Sequence, residues 1–97
     1  MFHALGDPTR LTIIERLERG MMATVPLLEG LGMSRQGAAR HLAILEKSGI
    51  ITKKFAGRVV YRELQREQLT KANDWLERRT RAWESKIDHL QAYVENS

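Results

Sequence analysis

Apolar residues in the first half of the chain recur every three or four positions, which is the spacing of one face of an α-helix. Asp7 and Pro8 predict the start of a first helix, because Asp accepts hydrogen bonds from free amides and Pro has no amide to lose there. Gly20 predicts the end of this helix. Its apolar stripe consists of Leu11, Ile13, Ile14 and Leu17.

Two further helices are predicted after short breaks. Thr24 is predicted to cap a short second helix that runs through Leu31. Ser34 is predicted to cap a longer third helix that ends at Gly49. The inward face of this third helix consists of Ala38, Leu42 and Leu45. The three-residue break at 32–34, between a short helix and a longer one, predicts a helix-turn-helix arrangement.

A β-hairpin is predicted directly after the third helix. Residues 50–55 and 59–64 contain the Ile, Val and Tyr side chains that are typical of strands, and residues 56–58 connect them around Gly57. The predicted fold class is therefore mainly α with a small β-hairpin wing, which is a winged helix-turn-helix.

A long helix is predicted for the remainder, because residues 65–97 contain no Pro and no Gly. Its seam positions alternate at intervals of four and three over about 26 residues, or roughly 39 Å of helix. The seam consists of Leu69, Asn73, Leu76, Thr80, Trp83, Ile87, Leu90 and Val94. It either packs back on the domain or pairs with a second subunit. A domain this small can hardly cover so long a stripe, so the pattern favours a dimer interface at Leu76, Trp83, Ile87, Leu90 and Val94.

Composition excludes several classes of protein. The chain has 97 residues and no Cys, which rules out disulfides, thiolate metal sites and thiol redox chemistry. No apolar run approaches the roughly 20 residues of a membrane span, and the N-terminus lacks the long apolar region of a signal peptide. We therefore expect a soluble, cytoplasmic protein, and no feature of the sequence calls for a cofactor.

Positive charge is concentrated in the third helix and the hairpin. The net charge of the chain is +4, but residues 34–62 alone sum to +6 and the other residues to −2. The cations of this segment are Arg35, Arg40, Lys47, Lys53, Lys54, Arg58 and Arg62, and its single anion is Glu46. Such a concentration is the footprint expected for binding a polyanion, although a charge cluster is also typical of an ordinary solvated face.

The start of the third helix carries side chains that suit base recognition. Recognition helices present residues near their N-terminus to the major groove, where Arg donates two hydrogen bonds to guanine and Gln pairs with adenine. The predicted base-reading residues are Arg35, Gln36, Gly37 and Arg40. Within a helix, Gly is less stable than Ala by about 1 kcal/mol. Either a close approach to DNA or tight packing against a neighbouring helix would explain Gly37.

Other polar residues of this region are predicted to contact the DNA backbone. Ser34 is most simply a helix cap, and at a helix N-terminus it also suits a phosphate contact. His41 is either a boundary residue or a phosphate donor. Lys53, Lys54 and Arg58 of the wing are predicted to contact phosphates, and Arg58 at the tip also suits a minor groove. The same lysines are typical of an exposed edge strand that is protected from aggregation.

A set of short segments spread over the chain forms a recognisable pattern. The segments are His3 to Arg10, Met33 to Gln36, Arg40 to Leu42, Leu45 to Ile51, Gly57-Arg58 with Tyr61-Arg62, and the tail around Trp75, Trp83 and Ile87 to Leu90. Together they resemble the ArsR-type (ArsR/SmtB-like) winged-helix repressors, and the tail is similar to a cysteine-free branch. The resemblance implies a homodimer, joined through its first and last helices, that binds an inverted-repeat operator and represses transcription.

Two departures from the family pattern bear on function. Ala39 stands where the family often has a small hydroxyl residue, which removes one common contact to the DNA backbone. Metal-sensing members use a cysteine pair, or Asp, His and Glu ligands on the last helix. This chain has no Cys, and His3, His41 and His89 are scattered over three segments, so we expect no metal site.

The sequence therefore predicts a DNA-binding transcriptional regulator, and specifically a homodimeric repressor. We expect one domain over 1–97, with a DNA-binding core in 1–64, a wing at about 50–64 and a dimerisation helix in 65–97. Two alternatives stay open, a winged-helix protein-interaction module and a metal-responsive repressor with a His/carboxylate site. No Cys nucleophile, Gly-rich phosphate loop or paired catalytic motif is present, so we expect no enzyme. Any small-molecule or protein effector is left unspecified.

Overall fold

The computed structural model describes residues 2–95, except for the side chains of Tyr93 and Glu95. Within that range, five helices and three strands follow one another in the order α1, α2, β1, α3, α4, β2, β3, α5. Their bounds are α1 Phe2–Leu5, α2 Pro8–Leu17, β1 Met22–Ala23, α3 Thr24–Leu28, α4 Arg35–Lys47, β2 Ile51–Ala56, β3 Val59–Leu64 and α5 Arg66–Glu95. The predicted fold class, a mainly α winged helix-turn-helix, is confirmed.

The start of α2 follows from its sequence. The Asp7 carboxylate accepts hydrogen bonds from the amides of Thr9 at 2.8 Å and Arg10 at 3.1 Å, and Pro8 is the first helical residue. The four-residue helix α1 precedes this cap and was not predicted, because so short a helix shows no periodicity. The predicted first helix therefore corresponds to α2.

The prediction for the second helix was wrong at both ends. Thr24 is the first residue of α3 and not its cap, because its hydroxyl donates to the Val60 carbonyl at 2.9 Å on the neighbouring strand. At the other end, Arg16 of α2 donates to the carbonyls of Leu27 and Glu29 at 2.9 and 2.7 Å. The helix stops at Leu28 and not at Leu31. The connection to α4 is therefore residues 29–34, longer than the predicted break of three.

The predicted bounds and inward face of α4 are confirmed. The Ser34 hydroxyl accepts from the Gly37 amide at 3.0 Å, which satisfies one of the free donors of the first turn. Ala38, Leu42 and Leu45 are buried. After the helix, Gly49 adopts a positive φ of 76°, which a residue with a side chain rarely adopts, and the chain turns into β2.

The wing is part of a three-stranded antiparallel sheet with the order β1-β3-β2. Strands β2 and β3 are paired from Ile51 opposite Leu64 to Ala56 opposite Val59, and the turn between them contains Gly57 at a positive φ of 62°. The third strand, β1, was not predicted. It contains two residues and pairs with β3 through Met22 opposite Arg62, a contact between distant parts of the chain.

A single apolar core joins these elements. Its most deeply buried side chains come from α2, α3, α4 and the start of the wing, and they are Ile13, Leu17, Leu27, Leu45, Ile50 and Ile51. The inward face of α4 therefore packs on the same core as α2 and the base of the hairpin. This packing determines which face of α4 points away from the domain.

Helix α5 contacts the core only through its first turns. Ala72 is buried and Leu69 packs against the core, whereas every side chain from Asn73 to Ala92 is exposed. The radius of gyration is 18.8 Å, compared with about 13 Å for a compact chain of this length. Most of α5 therefore projects beyond the domain. Among residues 2–95, no helix combines the length and hydropathy that a membrane span needs.

The Asp7 cap makes stability depend on pH. The hydrogen bond from the Arg10 amide is the largest cause that lowers the pKa of the Asp7 carboxyl below its usual 3.8, and partial removal from water opposes it. Because the folded pKa is lower than the unfolded one, Asp7 stabilises the fold above the unfolded pKa, and this contribution is lost as pH falls through the folded pKa.

We expect Asp7→Asn, which retains an amide oxygen for capping but does not titrate, to lower the Tm at neutral pH. The Tm difference from the wild type should shrink as the pH falls below about 4. Thermal unfolding followed by circular dichroism between about pH 2 and pH 7 measures both. A Tm difference that does not change with pH would contradict this role of the carboxylate.

Candidate nucleic-acid interface

The outward face of α4 is polar at its N-terminal end. Arg35, Gln36 and Arg40 are exposed there. Gln36 and Arg40 lie on the side of the helix opposite the buried Leu42 and Leu45, and Arg35 lies at the border beside the groove. The structure therefore brings three of the four predicted base-reading side chains together on one accessible surface. All three groups carry N–H donors that match acceptors in the major groove.

Gly37 lies beside this surface and is partly buried. A Cβ at this position would come within 3.2 Å of the Ser34 hydroxyl oxygen and 4.0 Å of the Met33 Cβ. The crowding therefore comes from the cap of the same helix. Packing against a neighbouring helix, one of the two explanations given for Gly37 above, does not account for the glycine. Glycine leaves room for the cap hydrogen bond, and a base-reading role for Gly37 stays a prediction.

Arg10 connects three elements from a buried position in α2. Its guanidinium donates from Nε to the Ala4 carbonyl at 2.8 Å and from Nη2 to the His3 carbonyl at 3.0 Å. Its Nη1 lies 3.1 Å from Nδ1 of His41 on α4. One side chain therefore holds both α1 and α4, which was not predicted from the sequence. The only signal was the run from His3 to Arg10 quoted for the family resemblance.

His41 lies between Arg10 and Asp7 at the edge of α4. Its Nδ1 faces the guanidinium of Arg10, which has only donors. The same Nδ1 lies 4.0 Å from the Asp7 carboxylate, and the His41 side chain is one-fifth exposed. His41 therefore lies at the boundary between the buried and the exposed face of α4, which agrees with one of the two interpretations given above. A phosphate contact by His41 stays a prediction.

Arg62 is a buried side chain of β3 that connects the wing to α4. Its Nε donates to the Thr24 hydroxyl at 3.1 Å, and its guanidinium pairs with Glu46 of α4. Burial lowers the pKa of Arg62. Lys53 also approaches Glu46, with 3.6 Å between Nζ and Oε2. Of the seven cations counted in this segment, Arg62 is therefore structural and the other six are exposed.

The three predicted wing contacts are exposed side chains on or beside β2. Lys53 and Lys54 lie on β2, and the Nζ atom of Lys54 is 3.1 Å from a carboxylate oxygen of Glu63. Arg58 lies in the turn between β2 and β3. Because β2 is an outer strand of the sheet, its lysines also protect an unpaired edge. Phe55 on the same strand is exposed as well, and the sequence analysis did not single it out.

A groove of about 830 Å³ separates α4 from α3 and the wing. Its wall on the α4 side includes Arg35, Ala39 and Ala43, and its wall on the wing side includes Lys53 and Arg62. Ala39 and Ala43 are exposed. From the sequence, Ala39 was interpreted as a flank of the inward face and as a missing hydroxyl, and Ala43 was given no role. Within residues 2–95, no three His, Cys, Asp or Glu side chains cluster as metal ligands would.

Comparison with known proteins identifies the same domain. A family model described as a helix-turn-helix domain matches residues 5–54. The arsenical resistance operon repressor of Escherichia coli is 31% identical over 97 residues, which cover 99% of this chain and 80% of that protein. The transcriptional repressor SdpR of Bacillus subtilis is 29% identical over 76 residues, which cover 78% of this chain and 84% of that protein.

A solved structure agrees with these relatives. The crystal structure of an ArsR family transcriptional regulator superimposes with a TM-score of 0.78 and 34% sequence identity. The superposition covers 86% of this chain and 91% of that one. The similarity therefore extends well beyond the helix-turn-helix segment.

The three hydrogen bonds of Arg10 generate a prediction about stability. We expect Arg10→Gln to lower the free energy of unfolding by about 1–3 kcal/mol, because buried carbonyl acceptors lose their donor. The exposed Arg19→Gln should change it by less than about 0.5 kcal/mol. Urea denaturation of the two variants measures the difference. Equal effects of the two substitutions would show that the Arg10 network does not stabilise the fold.

Proposed function

Because the chain belongs to the ArsR family of winged helix-turn-helix transcriptional regulators, we propose that it is a homodimeric repressor of an inverted-repeat DNA operator. The observation that carries this proposal is the exposed face of α4 with Arg35, Gln36 and Arg40. The family is one of transcriptional regulators and not of enzymes. The proposal places the protein in the cytoplasm, where it has access to DNA.

In this proposal the N-terminal half of α4 enters the major groove. Arg35 and Arg40 donate to guanine, and Gln36 pairs with adenine. Gly37 allows the first turn to approach the DNA closely. The α4 helix is suited to this task because its inward face is buried and its flanks are held by Arg10 and by the Arg62–Glu46 pair. A helix held on three sides presents its side chains in a defined orientation.

Backbone contacts then surround the base-reading face. Ser34 contributes a donor at the N-terminus of α4 and His41 contributes one on its flank, and Lys53, Lys54 and Arg58 contribute charge from the wing. Their support is exposure and position, because Lys53 lines the groove beside α4 and Lys54 and Arg58 are exposed on the wing. Contacts of this kind supply affinity that falls with salt and is independent of base sequence.

The projecting part of α5 supports the dimer. Five large apolar side chains, each between 47 and 68% exposed, follow the predicted seam, and they are Leu76, Trp83, Ile87, Leu90 and Val94. Burial of such side chains stabilises by about 1.5–3 kcal/mol each. In the proposed dimer a second copy covers this seam, and a two-fold axis places two copies of α4 on successive half-sites of the operator.

The effector of the repressor differs from what one relative's name suggests. The Escherichia coli protein is named for arsenical resistance, and thiolates are the ligands that soft metals and metalloids prefer. This chain has no Cys, so we propose that it does not respond through a thiolate site. A small molecule or a partner protein is the effector that the proposal allows.

We expect base-reading and backbone contacts to separate in binding assays. Gln36→Ala or Arg40→Ala should weaken operator binding by about 1–3 kcal/mol and relax base preference. Lys53→Ala should weaken binding to all duplexes alike and reduce the dependence of affinity on salt. Selection of duplexes from a random pool supplies the operator, and fluorescence anisotropy at several salt concentrations measures both effects.

Two outcomes of this experiment would contradict the proposal. If Lys53→Ala changed base preference and Arg40→Ala did not, the assigned roles would be reversed. If the wild-type protein bound no duplex in a salt-dependent way, the basic surface would instead serve as a protein-interaction module.

The dimer interface generates a matched pair of substitutions. Trp83→Glu introduces a charge into the exposed apolar seam and should convert a dimer at micromolar concentration into a monomer that binds the full operator weakly. Ser85→Glu introduces the same charge on the opposite side of α5 and should leave the dimer intact. Analytical ultracentrifugation distinguishes these results. A wild-type monomer that still binds one half-site tightly would contradict the proposed assembly.

A further inference from the structure

An apolar strip lies on the exposed side of α4, along the groove that separates this helix from α3 and the wing. Ala39 and Ala43 are separated by one helical turn, and both are exposed, whereas the adjacent Ala38 is buried in the core. Arg35 precedes Ala39 by one turn on one side of the strip. Gln36 and Arg40 lie on its other side. The alanines therefore occupy the centre of the surface proposed to face the bases.

The chemistry of this strip differs from that of its surroundings. A methyl group makes no hydrogen bond, so it gains nothing from the nitrogen and oxygen atoms that most base edges present. Among the groups displayed in the major groove, the C5-methyl of thymine is the apolar one. Alanine is also short enough to let the helix axis come close to the base edges.

We propose that Ala39 and Ala43 contact the C5-methyl groups of thymines in each half-site. This inference rests on the proposed function, since it requires α4 to lie in the major groove. Arg35 and the pair Gln36 and Arg40 then read the positions that flank these thymines. The specificity-determining surface of the chain is apolar at its centre and polar at its borders.

The spacing of the two alanines constrains the operator. Four residues of helix span about 6 Å along the axis, and successive base pairs are about 3.4 Å apart. The two methyl contacts therefore lie within about two base pairs of each other. Burial of one methyl group contributes enough transfer free energy for about a fourfold change in affinity.

Deoxyuridine substitution provides the test, because it removes the thymine methyl group and keeps the base pair. In the duplex obtained by random-pool selection, each thymine of a half-site is replaced in turn by deoxyuridine, and the affinity of the full-length protein is measured by fluorescence anisotropy. We expect about a fourfold loss at one or two positions and no change at the others. The protein is unaltered in this arm, so folding does not affect the result.

A double-mutant cycle assigns the effect to the alanines. Ala39→Gly and Ala43→Gly each remove one methyl group from the protein, and the ratio of thymine to deoxyuridine affinity cancels any general weakening. We expect each variant to lose the thymine preference at its own position. Ala92→Gly, an exposed alanine on α5, is the matched control and should keep the wild-type ratio.

The results that would overturn the inference are distinct from failure of the proposed function. A selected half-site without thymine, equal affinity for the thymine and deoxyuridine duplexes, or a preference that persists in both glycine variants each refutes the methyl contact. Specific, salt-dependent binding would survive in all of these cases. Absence of specific binding to any duplex would instead refute the proposed function itself.

Discussion

The anchoring of α4 is the constraint on which the candidate interface depends. Leu42 and Leu45 bury its inward face, Arg10 holds one flank through His41, and the Arg62–Glu46 pair holds the flank towards the wing. A surface helix held only by apolar contacts can slide or rotate with little change in buried area. Directional hydrogen bonds and an ion pair remove that freedom, because they require defined positions of both partners. The exposed face of α4 is determined by what its other faces contact.

The charge of the domain is divided between surface and interior. Arg10 and Arg62 are both buried, and each donates hydrogen bonds to acceptors within the protein. The exposed cations of residues 34–62 are therefore six and not the seven that the sequence contains. Glu46 contacts Arg62 and lies near Lys53, so the only anion of residues 34–62 is occupied by neighbouring cations. Its negative charge is largely neutralised beside the proposed binding surface.

Features that depend on neighbouring residues could be predicted from the sequence, whereas features that depend on distant ones could not. Asp7, Ser34 and Gly49 act within one helical turn of their own position, and their roles as caps or terminators agree with the structure. The role of Thr24 depends on Val60 and Arg62, and that of His41 depends on Arg10, which is 31 positions away. The exposure of Ala39 and Ala43 was not predicted, because apolar residues in a helical pattern are ordinarily assigned to a core. Only the packing of Ala38 inwards shows that Ala39 points outwards.

The uninterrupted length of α5 has a mechanical consequence. As a rod of about 45 Å, it converts a small rotation into a large displacement, so that a change of about 10° in its crossing angle moves the far end by about 8 Å. That distance exceeds two base-pair steps of about 3.4 Å each. Helix α1 contacts α5 through Phe2 and Trp75, whose ring centroids are 4.9 Å apart. Arg10 donates hydrogen bonds to two carbonyls of α1. In the proposed dimer, the angle between the two copies of α5 therefore sets the distance between the two copies of α4.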